Sequence, residues 1–229
     1  EKGADSLPPV TAIALHDEFK ELTPAGAQGD EMIRKLADRM VGVELFDRAD
    51  GLLQKQLRFR LKGIERSRVG TQLALIRLLS QDYEGVLNVL DETVEIGLSE
   101  QLTTQRKHLR ARALMGLEAH DDALNLLKDD KTVDGNLIKL EIQWTAPDWP
   151  AASQSLRRII LASGIRPGQE LGDEDAIKVL NIAVAYTLSG NDRAVARLRR
   201  EYSLAMDETI FKDAFHLISS PRTFGMVDP

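Results

Sequence analysis

The stretch QDYEGVLNVL, from Gln81 to Leu90, decides the fold because the chain repeats its plan twice more. AHDDALNLL (Ala119–Leu127) and SGNDRAVARLRREY (Ser189–Tyr202) also begin with a polar turn, followed by a small residue and then a leucine. A small residue and a leucine four positions apart lie on one face of an α-helix. The small residue lets a second helix approach closely, and the leucine packs beside it. The pattern therefore predicts helices that pack together at intervals along the chain.

Five copies of this motif align on a small or short residue and the leucine four positions after it. The pairs are Ala49–Leu53, Val86–Leu90, Ala123–Leu127, Ala152–Leu156 and Ala194–Leu198. Their spacings of 37, 37, 29 and 42 residues scatter around about 34 residues, a period typical of stacked helical hairpins. A second helical segment precedes each motif, so each copy is predicted to be a pair of helices.

Two of these preceding segments carry a further signature, in which a large apolar residue precedes a Leu-Ala or Ile-Ala pair and another large residue follows. MIRKLADRM provides Ile33, Leu36, Ala37 and Met40, and KVLNIAVAYTL provides Val179, Ile182, Ala183 and Tyr186. From roughly Gly29 to Ser203 the chain resembles the tetratricopeptide repeat family. It departs from the family pattern in lacking the first signature tryptophan and in placing Arg77 where an aromatic residue is expected. The resemblance implies an all-α, right-handed α-solenoid of about five antiparallel hairpins.

The pattern predicts three regions. Residues 1–28 are expected to form an N-terminal helix, VTAIALHDEFKEL, and a linker, Leu22–Asp30; the helix is half of a hairpin from a preceding repeat. Residues 29–206 are the repeats, with a long loop at Ala162–Asp175, and residues 207–229 are a capping helix and tail. The cap is read from MDETIFKDAFHLISSP, whose apolar residues are Ile210, Phe211, Ala214, Phe215 and Ile218. A start at Glu1 without an initiator methionine indicates a processed chain or the C-terminal fragment of a larger, bacterial protein.

The composition excludes several classes of site. The chain has no cysteine, so disulfides and thiolate metal sites are excluded. The four histidines, His16, His108, His120 and His216, are scattered, and no GxSxG, GxxxxGK[ST] or GxGxxG motif occurs. We therefore predict no catalysis and no cofactor. No apolar run approaches the roughly 18 residues that cross a bilayer, so no membrane contact is predicted. The compartment stays open: the cytoplasm is slightly favoured, and a bacterial periplasm requires an upstream signal.

One segment imitates a metal site. DKTVDGNLIKLE, from Asp130 to Glu141, places Asp, Thr, Asp, Gly and Glu at positions 1, 3, 5, 6 and 12 of a calcium-binding loop. Ile138 stands at the ninth position, which normally provides an oxygen ligand. The favoured interpretation is a polar connection between two repeats, with no metal, and calcium binding is the alternative.

Two basic stretches raise the question of nucleic acid. Lys55–Arg68 holds six Lys or Arg and one Glu, and Arg106–Arg112 adds four more basic residues. Phosphate contacts are one interpretation. The net charge of −6 favours the other, a helix face that pairs with Asp91, Glu92 and Glu95. We therefore expect that the chain does not bind nucleic acid. Binding of an acidic peptide or protein surface is an intermediate interpretation.

The resemblance also implies a binding surface, because tetratricopeptide proteins bind partners along the first helices of their hairpins. Transferred by register, the positions are Arg34, Asp38, Arg68, His108, Arg112, Glu141 and Trp144. For Trp144 and Trp149 the favoured interpretation is packing at a junction between repeats, and contact of Trp144 with a peptide is the alternative. The expected function is a non-catalytic scaffold that binds a protein or peptide segment in a concave groove. The alternatives are a structural or self-associating module and an accessory domain of a larger cell-envelope protein.

Overall fold

The computed structural model describes residues 26–220, together with Pro8, Thr11, Ile13, Ala14, Glu18 and Pro24. Eleven α-helices and no β-strand occur in this described part of the chain, which confirms the predicted all-α class. The helices are α1 (Ala27–Gly42), α2 (Phe46–Phe59), α3 (Gly63–Leu79), α4 (Tyr83–Glu92), α5 (Glu100–Gly116), α6 (His120–Leu127), α7 (Val133–Thr145), α8 (Trp149–Ala162), α9 (Asp173–Leu188), α10 (Asp192–Asp207) and α11 (Lys212–Ser219). None of these helices is both long and apolar enough to cross a lipid bilayer.

The helices group into two compact units, unit 1 (Glu1–Leu126) and unit 2 (Leu127–Pro229). Each unit contains a hydrophobic core of its own. In unit 1, each of α1 to α4 packs on the next helix, and α3 also packs on α5. In unit 2, each of α7 to α10 packs on the next helix, and α11 also packs on α9. Among the described residues, extensive contacts within each unit thus join helices one or two apart in the chain. This arrangement is compatible with the predicted stacking of hairpins; the predicted regions 1–28, 29–206 and 207–229 stay predictions.

The turn inside a helix pair has one geometry at three places that are 37 residues apart. Glu44, Gln81 and Glu118 adopt left-handed φ angles of 60°, 62° and 60°. The residue after each of them donates its N–H to a carbonyl five residues back, which is the closure of a Schellman turn. These bonds join Leu45 to Met40, Asp82 to Arg77 and Ala119 to Leu114. The recurrence of one turn at one period supports the helix pairs that the sequence motifs predict.

Side-chain caps fix several of the helix starts. Gly190, with φ 69°, ends α9 in a fourth turn of the same kind, and the Asn191 side chain accepts the N–H of Ala194. Asp148 accepts the N–H of Ala151 at the start of α8. Such caps satisfy N–H groups that have no partner inside the helix, and each stabilises by about 1 kcal/mol.

The aligned small residues and leucines are buried in four of the five copies. Exposure is at most 1% for Ala49, Leu53, Val86, Leu90, Ala123, Leu127, Ala152 and Leu156. Burying one such leucine contributes about 1.5–3 kcal/mol, so the recurring pairs are a main source of stability. The fifth copy differs: Ala194 is half-buried, whereas Val195 is 8% exposed and Leu198 6%. Ala194 is therefore less completely covered than the aligned small residues of the other four copies.

Three predicted boundaries also change. The linker ends earlier than expected, because α1 begins at Ala27. The capping helix is shorter, because α10 continues to Asp207 and α11 spans Lys212–Ser219, which leaves Ile210 exposed in the turn between them. The predicted loop at Ala162–Asp175 is shorter, because α8 extends to Ala162 and α9 begins at Asp173, so the connection is 163–172. The N-terminal helix lies mainly outside the described residues.

Candidate protein-interaction surface

The predicted surface in unit 1 is built from the first helices of successive pairs, and it is tied together across α1 and α3. Arg34 on α1 donates through Nη1 to Oε2 of Glu65 on α3, at 3.2 Å. One turn further along α1, Asp38 accepts from Nε2 of Gln72 on α3, at 2.6 Å. The structure therefore brings Arg34 and Asp38 together with the face of α3 that carries Arg68.

Carboxylates of the same surface hold its guanidinium groups in place. Glu65 pairs with Arg34 and also with Nη1 of Arg68, at 2.9 Å, and Arg34 contacts Glu31 as well. The Arg68 side chain is 57% exposed. The surface is thus pre-oriented but mixed in charge, because each of these arginines already faces an acid. A partner would meet alternating donors and acceptors here rather than an excess of positive charge.

The predicted positions His108 and Arg112 lie on α5. They lie one helical turn apart and both are half-buried. Helix α5 packs on α3, and both side chains take part in interactions of their own. The unit 1 positions therefore lie on three successive first helices, with α3 in the middle.

Glu141 and Trp144 lie in unit 2, near the end of α7. Trp144 is 37% exposed, and its ring meets that of Trp149 edge to face, with centroids 5.1 Å apart. The two rings pack at the turn between α7 and α8, inside one helix pair rather than between two repeats. Such a contact stabilises the turn by about 0.5–1.5 kcal/mol beyond its buried area, while Trp144 keeps an exposed edge.

Several side chains of the basic stretches pair with groups on neighbouring helices. Arg60 pairs with Asp30 at 2.7 Å, and Arg110 pairs with Asp91. Arg66 donates to the main-chain oxygen of Glu92 rather than to its carboxylate. The interpretation as a paired helix face is confirmed for Asp91, and the expectation that nucleic acid does not bind stays a prediction.

Arg106 belongs to the second basic stretch, but it does not lie on a surface face as that interpretation implies. Arg106 is 8% exposed and donates to the carbonyls of Ser67 and Leu90 and to the hydroxyls of Thr71 and Thr93. Burial lowers the pKa of its guanidinium and Arg110 lowers it further, whereas Asp91 acts in the opposite direction. The side chain joins α3, α4 and α5 through hydrogen bonds to neutral groups.

Two signals in the sequence could have placed Arg106. It lies three residues before Leu109 and seven before Ala113, both buried, so all three share a helix face. The second signal is Gly70, because a Cβ there would stand 2.3 Å from the Thr93 hydroxyl oxygen. Only glycine leaves room for the threonine that Arg106 bonds.

The calcium-loop hypothesis for Asp130–Glu141 is wrong, because most of the segment is helical. Helix α7 begins at Val133, so the fourth and later loop positions cannot wrap around an ion. Thr132 caps α7 by accepting the N–H of Gly135, and Asp130 accepts from the hydroxyl and N–H of Thr132. The buried Lys139 ammonium donates to the Asp130 main-chain oxygen, at 2.6 Å.

Neither metal-ligand groups among the described residues nor matches to known proteins point to a function. Across residues 26–220 and the six described positions before them, no three Asp, Glu or His side chains are grouped to hold a metal ion. A search against protein-family models found no match to the chain, and a search of curated proteins found no significant match.

Proposed function

We propose that this chain is a helical-repeat module of the tetratricopeptide kind that binds a segment of a partner protein and catalyses no reaction. The observation that carries the proposal is the ladder of polar contacts across α1 and α3, which holds Arg34, Asp38 and Arg68 on one face. Side chains that are already oriented lose little conformational entropy on binding.

The proposed architecture is a right-handed α-solenoid of five helix pairs with α11 as its cap. Packing between helices one or two apart in the chain supports it, as do the turns that recur at Glu44, Gln81 and Glu118. Phe215 on α11 is fully buried, as expected of a helix that covers the last apolar face of a stack.

Arg77 gives a physical reason for one departure from the tetratricopeptide pattern. It lies where that family has an aromatic residue, and its side chain is 13% exposed. It donates to both carboxylate oxygens of Asp50 and to the Gly85 carbonyl. The bidentate ion pair with Asp50 and the bond to Gly85 together join α2, α3 and α4, so they can replace the packing of an aromatic ring.

Charge reversal on the proposed surface tests the function. The double variant Arg68→Glu, Arg112→Glu is expected to lose the partner that the unaltered chain retains in a cross-linked pull-down from its native cell extract. Arg68→Glu alone, at a more exposed position, is expected to weaken retention in the same direction. The measurement is the abundance of each retained protein, after circular dichroism has shown that each variant is folded.

The matched control is Lys55→Glu, Arg58→Glu, which makes the same change of charge at exposed positions of α2. A partner lost equally from both double variants, or retained by both, would contradict binding at the α1, α3 and α5 surface.

Self-association is a second candidate, and exposed apolar side chains at the C-terminal end of unit 2 favour it. Leu204, Ile210 and Leu217 are 85%, 78% and 80% exposed. If these residues join copies of the chain, light scattering should show a mass that rises with concentration. Leu204→Lys, Leu217→Lys should then restore the monomer mass.

A further inference from the structure

A cleft opens in unit 2 where α8 and α10 both pack on α9. The connection from α8 to α9, 163–172, is longer than the other connections of this unit, and it runs along one side of the opening. The cleft has a volume of about 720 Å³, within the range of roughly 300–1,000 Å³ that holds drug-sized ligands. It is formed mainly by second helices of the pairs, α8 and α10, and not by the first helices that carry the proposed surface.

The floor of the cleft is apolar. It is formed by Ile160, Ile165, Ile182, Leu198 and Tyr202, each at most 6% exposed. The half-buried Ala194 also lines the cleft. It is the one aligned small residue that is not fully buried. The cleft therefore lies at the copy of the motif whose small residue is least buried.

The rim of the cleft is basic. Four arginines line it: Arg157 from α8, Arg166 from the connection, and Arg193 and Arg197 from α10. Glu201 is the single carboxylate among the lining residues. In the part of the chain that the structure describes, none of the four guanidinium groups forms a salt bridge or hydrogen bond. The chain carries 36 acidic residues against 30 Lys and Arg, so this concentration of unneutralised charge is local.

Two of the arginines act electrostatically on one phenol of the cleft lining. Burial raises the pKa of Tyr186, whereas the charges of Arg157 and Arg197 act to lower it and that of Glu201 raises it. Arg157 and Arg197 come from opposite walls, so the Tyr186 ring lies within the field of both. A carboxylate placed there can accept hydrogen bonds from two guanidinium groups and a hydroxyl, a donor set suited to an anion.

We propose that this cleft binds an acidic segment of a partner protein, in which an apolar side chain enters the floor between carboxylates paired with Arg157 and Arg197. The apolar floor requires a group that a free phosphate or dicarboxylate lacks. The four arginines, spread over two helices and a connection, match successive acids along an extended chain. The aliphatic floor offers little for stacking of bases, which disfavours single-stranded nucleic acid.

The test uses an array of fluorescein-labelled eight-residue peptides, in which each apolar amino acid in turn lies between runs of glutamate. The full chain should bind a subset of them saturably in fluorescence anisotropy. Arg157→Glu, Arg197→Glu should weaken that binding roughly tenfold or more, because it replaces attraction with repulsion. Replacing the glutamates by glutamine, or the apolar residue by serine, should each weaken binding by a similar factor.

The matched control is Arg158→Glu, Arg200→Glu, which makes the same change of charge at exposed neighbours that do not line the cleft. It should change binding by about twofold or less, because screening by salt weakens charges that do not touch the ligand. All four substituted side chains are exposed, so both variants should have the same melting temperature as the unaltered chain.

Three results would overturn the proposal. The first is that no peptide of the array binds the unaltered chain more tightly than it binds the double variant Arg157→Glu, Arg197→Glu. The second is an equal loss in the control variant, which would indicate unspecific attraction. The third is displacement of the peptide by inorganic phosphate or oligothymidylate at the peptide's own concentration, which would assign the cleft to a free anion or to nucleic acid.

The cleft and the surface on α1, α3 and α5 use different residues, so the two proposals fail separately. Loss of partner retention in Arg68→Glu, Arg112→Glu with unchanged peptide binding would leave both standing. Peptide binding that is insensitive to Arg157 and Arg197 would remove the cleft proposal alone.

Discussion

Two arginines of unit 1 and two of unit 2 are used in opposite ways. In unit 1, Arg77 and Arg106 are bonded to acceptors on neighbouring helices, and they act as cross-links of the fold. In unit 2, Arg157 and Arg197 are exposed around an apolar cleft and have no such acceptors among the described residues. The residue type is the same, and the surroundings decide between a structural and a binding role. Substitutions that separate stability from binding can break or sharpen this contrast.

The largest effect is expected at Arg106. Arg106→Met removes the donor from the Ser67 and Leu90 carbonyls and from two buried hydroxyls, and hydrogen bonds to charged groups contribute about 1.5–3 kcal/mol each before compensation. We expect the free energy of unfolding to fall by about 3 kcal/mol, measured by urea denaturation. Arg110→Met is the control, since its pair with Asp91 is largely exposed and should contribute about 1 kcal/mol or less. Equal losses would mean that Arg106 is no cross-link.

A smaller difference should separate Arg77 from Arg197. Arg77→Gln breaks the two-pronged pair with Asp50 and should lower the free energy of unfolding by about 1.5 kcal/mol. Arg197→Gln should change it by no more than about 0.5 kcal/mol. Thermal melts of the two variants measure the difference. A loss at Arg197 as large as at Arg77 would show that the cleft arginine stabilises the fold, which would remove the contrast.

The turns allow a second comparison between the units. Gln81 in unit 1 holds the left-handed conformation that Gly190 holds in unit 2, and this conformation costs a side-chain-bearing residue about 1–2 kcal/mol. Gln81→Gly should stabilise by about 0.5–1 kcal/mol, because the entropy of an unfolded glycine offsets part of the gain. Gly190→Ala should destabilise by a similar amount. Chemical denaturation gives both values, and two changes of the same sign would refute the equivalence of the turns.

The smallest expected effect depends on pH. A hydrogen bond from His216 is the main cause that lowers the pKa of Asp207. The folded state therefore binds this proton less tightly than the unfolded chain, whose aspartate pKa is about 3.9. The stabilisation is fully present above that value and is lost as the pH falls through the lower folded-state pKa. Urea denaturation of Asp207→Asn and the unaltered chain should show a stability difference that is constant near neutrality and shrinks in acid. A difference that does not change in acid would contradict the assignment.

The helix pairs could be predicted because their signals are local. Leu53, Leu90 and Leu127 repeat at one helical spacing after a small residue, and Asp148 and Asn191 are caps whose chemistry is complete within three residues. The pairing of surface arginines could not be predicted in the same way. Which carboxylate meets a guanidinium depends on how helices far apart in the chain lie against each other.

At Arg106 and at Ala194 the structure differs from the expectation for the same physical reason. The charge of Arg106 favours a position in solvent, although its helical register places it on the buried face with Leu109. The small size of Ala194 favours a fully buried position, although the residue is only half-buried and lines the cleft. Residue type indicates what a position can tolerate, while the neighbouring elements determine what it contacts. The cleft is lined by several elements together, so it leaves no motif in the sequence.

The Schellman turns at Glu44, Gln81, Glu118 and Gly190 also bear on how quickly the molecule forms. Each turn closes with bonds between residues only a few positions apart, so bringing its two helices together requires little loop-closure entropy. Several such hairpins along one polypeptide offer several independent nuclei, and short-range topology of this kind is associated with rapid folding. A nascent chain could therefore acquire structure pair by pair as each one is completed.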